Sequence, residues 1–312
     1  AGSEQRRAYV ATIDGREERP IDSGGGDAYP AAATPDGRLF VLRAEDEGEH
    51  HVESLALVDP ASSERTVVAT ATRIRNPSVA RDGTVAFESD ASSFRDLFAA
   101  KRGDATARRL TDNPEGNYEP SFSPDGRSIV FTSSRDFDAE IYTMTADGQA
   151  PRRLTSSAGD DMRPLPSPDG RHIAFISGRT GEDRIFVMGP SGEDQRPVRR
   201  AVTTESEREH AWSPDGGHLV FVARPRGGKS RILLWDAARD SVTQLTDGTS
   251  VCDMPVFSPD GRYIAFVSDR TGAPDLWLMR SDGTGAVRVV DRGPGTGDAT
   301  RWLPTWVPEP RD

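Results

Sequence analysis

The stretch Pro120-Ser-Phe-Ser-Pro-Asp-Gly-Arg-Ser-Ile-Val-Phe-Thr-Ser-Ser-Arg135 decides the fold, because its centre returns along the chain. The copies are Thr34-Pro-Asp-Gly37, Arg81-Asp-Gly83, Ser123-Pro-Asp-Gly126, Ser167-Pro-Asp-Gly170, Ser213-Pro-Asp-Gly216 and Ser258-Pro-Asp-Gly261. Successive aspartates (36, 82, 125, 169, 215 and 260) are 43 to 46 residues apart, and a fixed period of that size marks a repeat architecture. Proline presets the first central φ of a type I turn, aspartate suits the second, and glycine supplies the left-handed residue that closes a bulged hairpin.

Working outward from each turn, an apolar run follows: Leu39–Leu42, Val85–Phe87, Ile129–Phe131, Ile173–Ile176, Leu219–Val222 and Ile264–Val267. Their β-branched and aromatic content predicts strands that are covered on both faces. A third strand is predicted at Leu55–Val58, Leu97–Ala100, Ile141–Met144, Ile185–Met188, Ile232–Trp235 and Leu276–Met279. A fourth is predicted at Val67–Thr70, Arg108–Thr111, Arg152–Thr155, Pro197–Val202, Val242–Thr246 and Val287–Val290. Four short strands per repeat, without helical periodicity, describe the blade of an all-β propeller. One domain, 1–312, is expected. Arg301-Trp-Leu-Pro-Thr-Trp306 reads as a seventh first strand without its turn, and Ala8–Ile13 and Glu18–Ser23 read as strands sharing its sheet. The expectation is therefore seven four-stranded antiparallel blades, with a ring closed by the two termini; six is the alternative.

Composition excludes several classes. The 312 residues are 35% hydrophobic and 29% charged, which fits a globular chain with room for a sizeable core. No run of 18 apolar residues occurs, so no transmembrane segment is expected. Cys252 is the single cysteine, which leaves no intrachain disulfide and no cysteine-based zinc site. A net charge of −11 argues against a nucleic-acid partner. Fourth-strand arginines (Arg108, Arg109, Arg152, Arg153, Arg199, Arg200, Arg288) suggest charge placed on an outer edge to block strand pairing, or an anion-binding rim.

Pro-x-aromatic-Ser-Pro-Asp-Gly, then Ile-Ala-Phe-x-Ser-x-Arg, Ile-Tyr-x-Met and Arg-Arg-Leu-Thr together resemble the TolB-type repeat, a tryptophan–aspartate-like propeller family. The fullest copies are Pro120–Thr155 and Pro255–Val290, and the terminal Pro304-Thr-Trp306 is similar to the closure of TolB propellers. The resemblance implies an exported bacterial protein, periplasmic or on the cell surface. It includes no N-terminal domain of the kind TolB itself carries. Related propellers precede a hydrolase domain in prolyl oligopeptidases, but the repeats fill this chain and Gly-x-Ser-x-Gly is absent. Trp235-Asp236 occurs once, without the glycine–histidine partner of tryptophan–aspartate repeats.

A propeller binds at the mouth of its channel, where the innermost strands begin. Six and seven residues before each turn aspartate stand Tyr29-Pro30, Arg75-Asn76, Tyr118-Glu119, Met162-Arg163, Arg208-Glu209 and Asp253-Met254. Trp302 joins them by alignment. Chemistry varies here between blades, as it would in a site for a peptide, a sugar acid or a partner's loop; a self-neutralising ring of arginine–carboxylate pairs is the plainer alternative. The candidate binding residues are Tyr29, Arg75, Tyr118, Glu119, Arg163, Arg208, Glu209, His210, Asp253 and Trp302.

His210 stands where most copies have proline, and beside Glu209 it suggests either a general base or a structural hydrogen bond. His50 and His51, with Glu47 and Glu49, read as a solvated loop or as metal ligands. Asp136, Asp138 and Glu140 alternate as calcium ligands do, without a full calcium loop. His172 and His218 open second strands and read as packing residues, and Cys252 as a small buried filler.

No cofactor is expected, apart from a channel or loop divalent cation such as calcium as the alternative. The functional expectation is a non-enzymatic, monomeric scaffold that offers its channel face to a protein or peptide. The rival is a sugar-binding propeller or an enzyme acting on a small ligand. Oligogalacturonate lyases, which resemblance brings in, hold a metal with several histidines.

Overall fold

In the computed structural model, the described residues are 9–11, 18–21, 27–34, 37–47, 50–92, 94–104, 106–199, 205–289 and 306. They form six four-stranded antiparallel sheets, each with its strands hydrogen-bonded in chain order. Blade 1 comprises Asp27–Ala33, Leu39–Glu47, His50–Val58 and Arg65–Ala71. Blade 2 comprises Arg75–Val79, Val85–Ser89, Asp96–Ala100 and Arg108–Arg109. Blade 3 comprises Asn117–Phe122, Ser128–Asp136, Asp138–Thr145 and Arg152–Arg153. Blade 4 comprises Asp161–Pro166, Ile173–Ser177, Arg184–Met188 and Arg196–Pro197. Blade 5 comprises Glu205–Trp212, His218–Pro225, Arg231–Asp236 and Ser241–Gln244. Blade 6 comprises Cys252–Phe257, Tyr263–Ser268, Asp275–Arg280 and Val287–Arg288.

The turn chemistry works as the sequence demands. In blade 3 the Gly126 amide donates to the Ser123 carbonyl at 2.8 Å, with Gly126 at φ +70°. The Ser123 hydroxyl donates to Asp125 Oδ1 at 2.6 Å, and the same oxygen accepts the Arg127 amide at 3.1 Å. Blades 4, 5 and 6 repeat this with Ser167–Asp169, Ser213–Asp215 and Ser258–Asp260.

Each second strand sits between neighbouring sheets, so its residues are apolar on both faces. Phe40, Phe87, Phe131, Phe175, Phe221 and Phe266, one per blade, are at most 1% exposed. Burial of one such side chain contributes about 1.5–3 kcal/mol. Apolar clusters bridge blades 1 and 2 (Phe40, Leu55, Phe87), 2 and 3 (Ala86, Leu97, Phe131), and 3 and 4 (Val130, Ile141, Phe175). Others bridge blades 4 and 5 (Ile185, Trp212, Phe221) and 5 and 6 (Val220, Ile232, Phe266). Consecutive blades from 1 to 6 are held by face-to-face packing of this kind.

Three expectations are corrected. Among the described residues the four-stranded blades number six, not seven, matching the six hairpin turns in the sequence. The N-terminal strands Tyr9–Ala11 and Glu18–Pro20 pair with each other, and Ile21 packs on Leu39, Val41 and Val58 of blade 1. At the other end, Trp306 Nε1 donates to the Val256 carbonyl of blade 6 at 3.4 Å; the rest of 301–312 lies outside the described residues. Second, fourth strands such as Arg108–Arg109 and Arg152–Arg153 last only two residues. Third, blade 1 extends its central hairpin through the supposed loop, pairing Glu47 with His50 and Asp46 with His51. The side chains of His50 and His51, and all of Glu49, lie outside the described residues.

Candidate functional site: the channel mouth

The residues seven before each turn aspartate occupy one register position in all six blades. Tyr29 pairs with Leu42, Arg75 with Glu88, Tyr118 with Thr132, Met162 with Ile176, Arg208 with Val222 and Asp253 with Val267. Immediately after each, the inner strand bulges. In blades 2 to 6 the next residue is left-handed: Asn76 (φ +46°), Glu119 (+55°), Arg163 (+54°), Glu209 (+52°) and Met254 (+56°). None is glycine, and each such residue costs on the order of 1–2 kcal/mol. Blade 1 has Pro30 there, whose ring forbids a positive φ, and its bulge leaves only Ala31 unpaired.

The bulge turns its amide away from its own sheet and toward the preceding blade. Glu119 N donates to Glu88 Oε1 at 2.6 Å, Arg163 N to Glu119 Oε2 at 2.8 Å, and Met254 N to Glu209 Oε2 at 2.7 Å. Asn76 Nδ2 also donates to Glu88, and the Thr132 hydroxyl to Glu119 at 3.0 Å. Burial pushes the Glu88 and Glu209 carboxyls above the usual carboxylate range. Of the ion pairs expected in a self-neutralising ring, the mouth contains Arg163 Nε–Glu119 at 3.2 Å and Arg224 Nη2–Asp253 at 3.1 Å. Arg75 is exposed with no hydrogen bond or ion pair among the described residues, and Arg208 reaches only Ser206 Oγ at 3.2 Å.

The remaining candidates have specific places. Tyr118 lies under the Arg95 guanidinium, 5.2 Å from its ring centroid, and donates its hydroxyl hydrogen bond to the Glu115 carbonyl. Tyr29 is partly buried in blade 1. Trp302 lies outside the described residues. His210 lies near Arg163 and Ala174 of blade 4, and its buried Nδ1 has no hydrogen-bond partner among the described residues. Burial, with the Arg163 charge nearby, pushes its imidazole down to about 4. Its neighbour Glu209 accepts the Met254 amide at 2.7 Å, and among the described residues no hydrogen bond or ion pair joins Glu209 to His210. His172 packs edge-on against Trp212. Cys252 is buried, with Sγ 3.6 Å from Ser268 Oγ.

Two of the carboxylates that alternate like calcium ligands, Asp136 and Glu140, already face a cation of the protein's own. Arg153 pairs with Asp136 at 3.1 Å and with Glu140 at 2.5 Å, and Tyr142 donates to Asp136. Among the described residues no group of three histidine, cysteine or carboxylate side chains is placed to hold a metal ion. Fourth-strand arginines also tie strands and blades together; Arg200 lies outside the described residues. Arg109 pairs with buried Asp96, Arg288 with Asp275, and Arg199 with Glu205 and Glu207. Arg108 and Arg152 donate to the carbonyls of Asp147 and Ser191 one blade on.

A family profile described as the TolB beta propeller domain matches residues 102–209 and 199–308, well over half of the chain. The chain belongs to the TolB beta propeller domain family. Among curated proteins it is 36% identical over 101 residues to an uncharacterized protein of Agrobacterium fabrum, 32% of this chain and 31% of that one. It is also 36% identical over 89 residues to a TolB homolog of Chlorobaculum tepidum, 28% of this chain and 20% of that one. The matches thus span under a third of those relatives' length.

Among solved structures, TolB from Acinetobacter baumannii superposes with a TM-score of 0.59 at 25% identity, over 74% of this chain and 58% of that one. Oligogalacturonate lyase from Vibrio parahaemolyticus superposes with a TM-score of 0.73 at 13% identity, over 98% and 92%. The second likeness shows the fold alone. No helix among the described residues is long and apolar enough to cross a membrane.

Proposed function

We propose that this TolB-family propeller is a monomeric, non-enzymatic binding scaffold of the bacterial envelope that offers its channel mouth to a protein or peptide. One observation carries the reading. Five blades hold a residue in the same strained left-handed bulge at the mouth, yet its identity and its neighbour's change from blade to blade. A strained backbone kept constant beneath varied side chains suits recognition more than packing. The mouth carboxylates Glu88, Glu119 and Glu209 hold backbone amides, so they serve geometry and not proton transfer. Export is supported by resemblance to TolB proteins.

A thermal-shift panel tests this, because a ligand that binds only the native state raises its melting temperature. Short peptides are expected to raise it, and the double substitution Tyr118→Ala/Arg163→Ala is expected to remove the effect while leaving the fold intact. A shift produced only by oligosaccharides, with turnover of the sugar, would overturn the reading in favour of a propeller enzyme.

A further inference from the structure

Blades 2 and 5 break the rule of the mouth. In blades 3, 4 and 6 the amide of the left-handed residue is claimed by a carboxylate of the preceding blade. For Asn76 the matching positions on blade 1 are Leu42 and Pro30, and for Glu209 those on blade 4 are Ile176 and Arg163. None of these four side chains carries an acceptor. Among the described residues, no carboxylate accepts the amide of Asn76 or Glu209. The same two blades have an arginine directly before the bulge, Arg75 and Arg208, both exposed and neither ion-paired among the described residues. At this position the other blades have Tyr29, Tyr118, Met162, and an Asp253 already held by Arg224.

We propose that the channel mouth takes an acidic peptide segment, seated on two anion-accepting corners: Arg75 with the Asn76 amide, and Arg208 with the Glu209 amide. A guanidinium beside an unclaimed N–H suits a carboxylate, since both donors form charge-assisted bonds to it. Glu88 and Glu209 do not fill these corners, because each is turned to an amide of the next blade. Partly buried Met162 and Met254 lie between the corners along the rim and offer adaptable apolar contact to peptide side chains, which favours a peptide over a mineral anion or sugar acid.

The inference rests on the peptide-binding reading, and one titration separates the two. Fluorescently labelled hexaglutamate, hexalysine and hexa-asparagine, and labelled trigalacturonate, are titrated into the full chain. The same series is run on Arg75→Gln/Arg208→Gln and on Tyr118→Ala/Met162→Ala, with circular dichroism as the check on folding. Hexaglutamate is expected to bind, to weaken with added salt, and to lose about tenfold in affinity in the double arginine variant. Absence of hexaglutamate binding, or unchanged affinity in that variant, overturns the inference. Binding of hexalysine or hexa-asparagine that is lost in Tyr118→Ala/Met162→Ala overturns the acidic assignment but leaves the peptide reading standing. Binding of trigalacturonate alone overturns both.

Discussion

The inner strands run between two rims that are built on opposite plans. At the turn rim every blade from 3 to 6 repeats one self-contained device, a Ser–Pro–Asp–Gly turn whose hydroxyl, carboxylate and amides bond among themselves. At the mouth rim the bonds cross from blade to blade and involve charged groups: Glu88 to Glu119, Glu119 to Arg163, Glu209 to Met254. Just outboard, Asp96 and Glu140 bind Arg109 and Arg153 of their own blades, whereas blades 4 and 5 place Arg184 and Arg231 at that position, paired with Glu207 and Glu205. A device confined to one turn can be copied unchanged. A device shared between blades must be matched to its neighbour, so it varies, and the variation leaves unmatched corners such as Arg75 and Arg208.

If that contrast holds, removing a mouth-side carboxylate costs far more than removing a turn carboxylate. Asp96 is fully buried and accepts from Arg109, the Thr111 hydroxyl (2.8 Å) and Asn117 Nδ2 (3.1 Å). Asp96→Ala leaves those donors without their acceptor and is expected to cost about 4 kcal/mol in urea unfolding. The next effect is one of pH. His210 is held at about 4 against 6.5 for a free histidine, so in that interval the unfolded chain binds the extra proton. Stability is then fully present above 6.5 and falls as pH drops toward 4, by up to about 3 kcal/mol. His210→Pro restores the residue found at Pro77, Pro120, Pro164 and Pro255, and is expected to flatten the urea midpoint between pH 6.5 and 4.

Legibility in the sequence follows the same division. The turn rim was readable because proline, aspartate and glycine each have a local reason to be there, and the strands on either side followed from it. The mouth positions were located, since they lie at a fixed distance from the turn. Their left-handed backbone was not, because asparagine, glutamate, arginine and methionine share no local preference that announces it. The partners of Glu88 and Glu119 lie 31 and 44 residues away in another blade, and no short-range pattern records them. The ties of the fourth-strand arginines were not legible either, because their carboxylates, Asp96 and Glu140, come from the strand alongside. Among the described residues the four-stranded blades number six, and of the expected seventh first strand only Trp306 is described, bonded to blade 6.

The turn rim supplies the smaller effects. Asp125→Ala removes acceptors for the Ser123 hydroxyl and the Arg127 amide, both at the surface and both able to turn to water. About 1 kcal/mol is expected, read from the urea midpoint at constant slope. These hydrogen bonds also hold the Asp125 carboxyl below its usual range, so this contribution is present at neutral pH and fades as acid protonates it.

The last test sharpens the comparison at the tip of a mouth-side hairpin, where stability and recognition pull in opposite directions. Phe137 sits between Asp136 and Asp138 at φ +80°, and its side chain is fully exposed. A bulky aromatic in that conformation is strained and buries nothing in return. Asparagine tolerates the left-handed region, so Phe137→Asn is expected to raise stability by roughly 0.5–1 kcal/mol. An unchanged or lowered urea midpoint would show that the ring contributes to the fold. A raised midpoint would mean that the sequence keeps an unfavourable residue on the face proposed for partner binding, the pattern expected of a side chain held ready for contact.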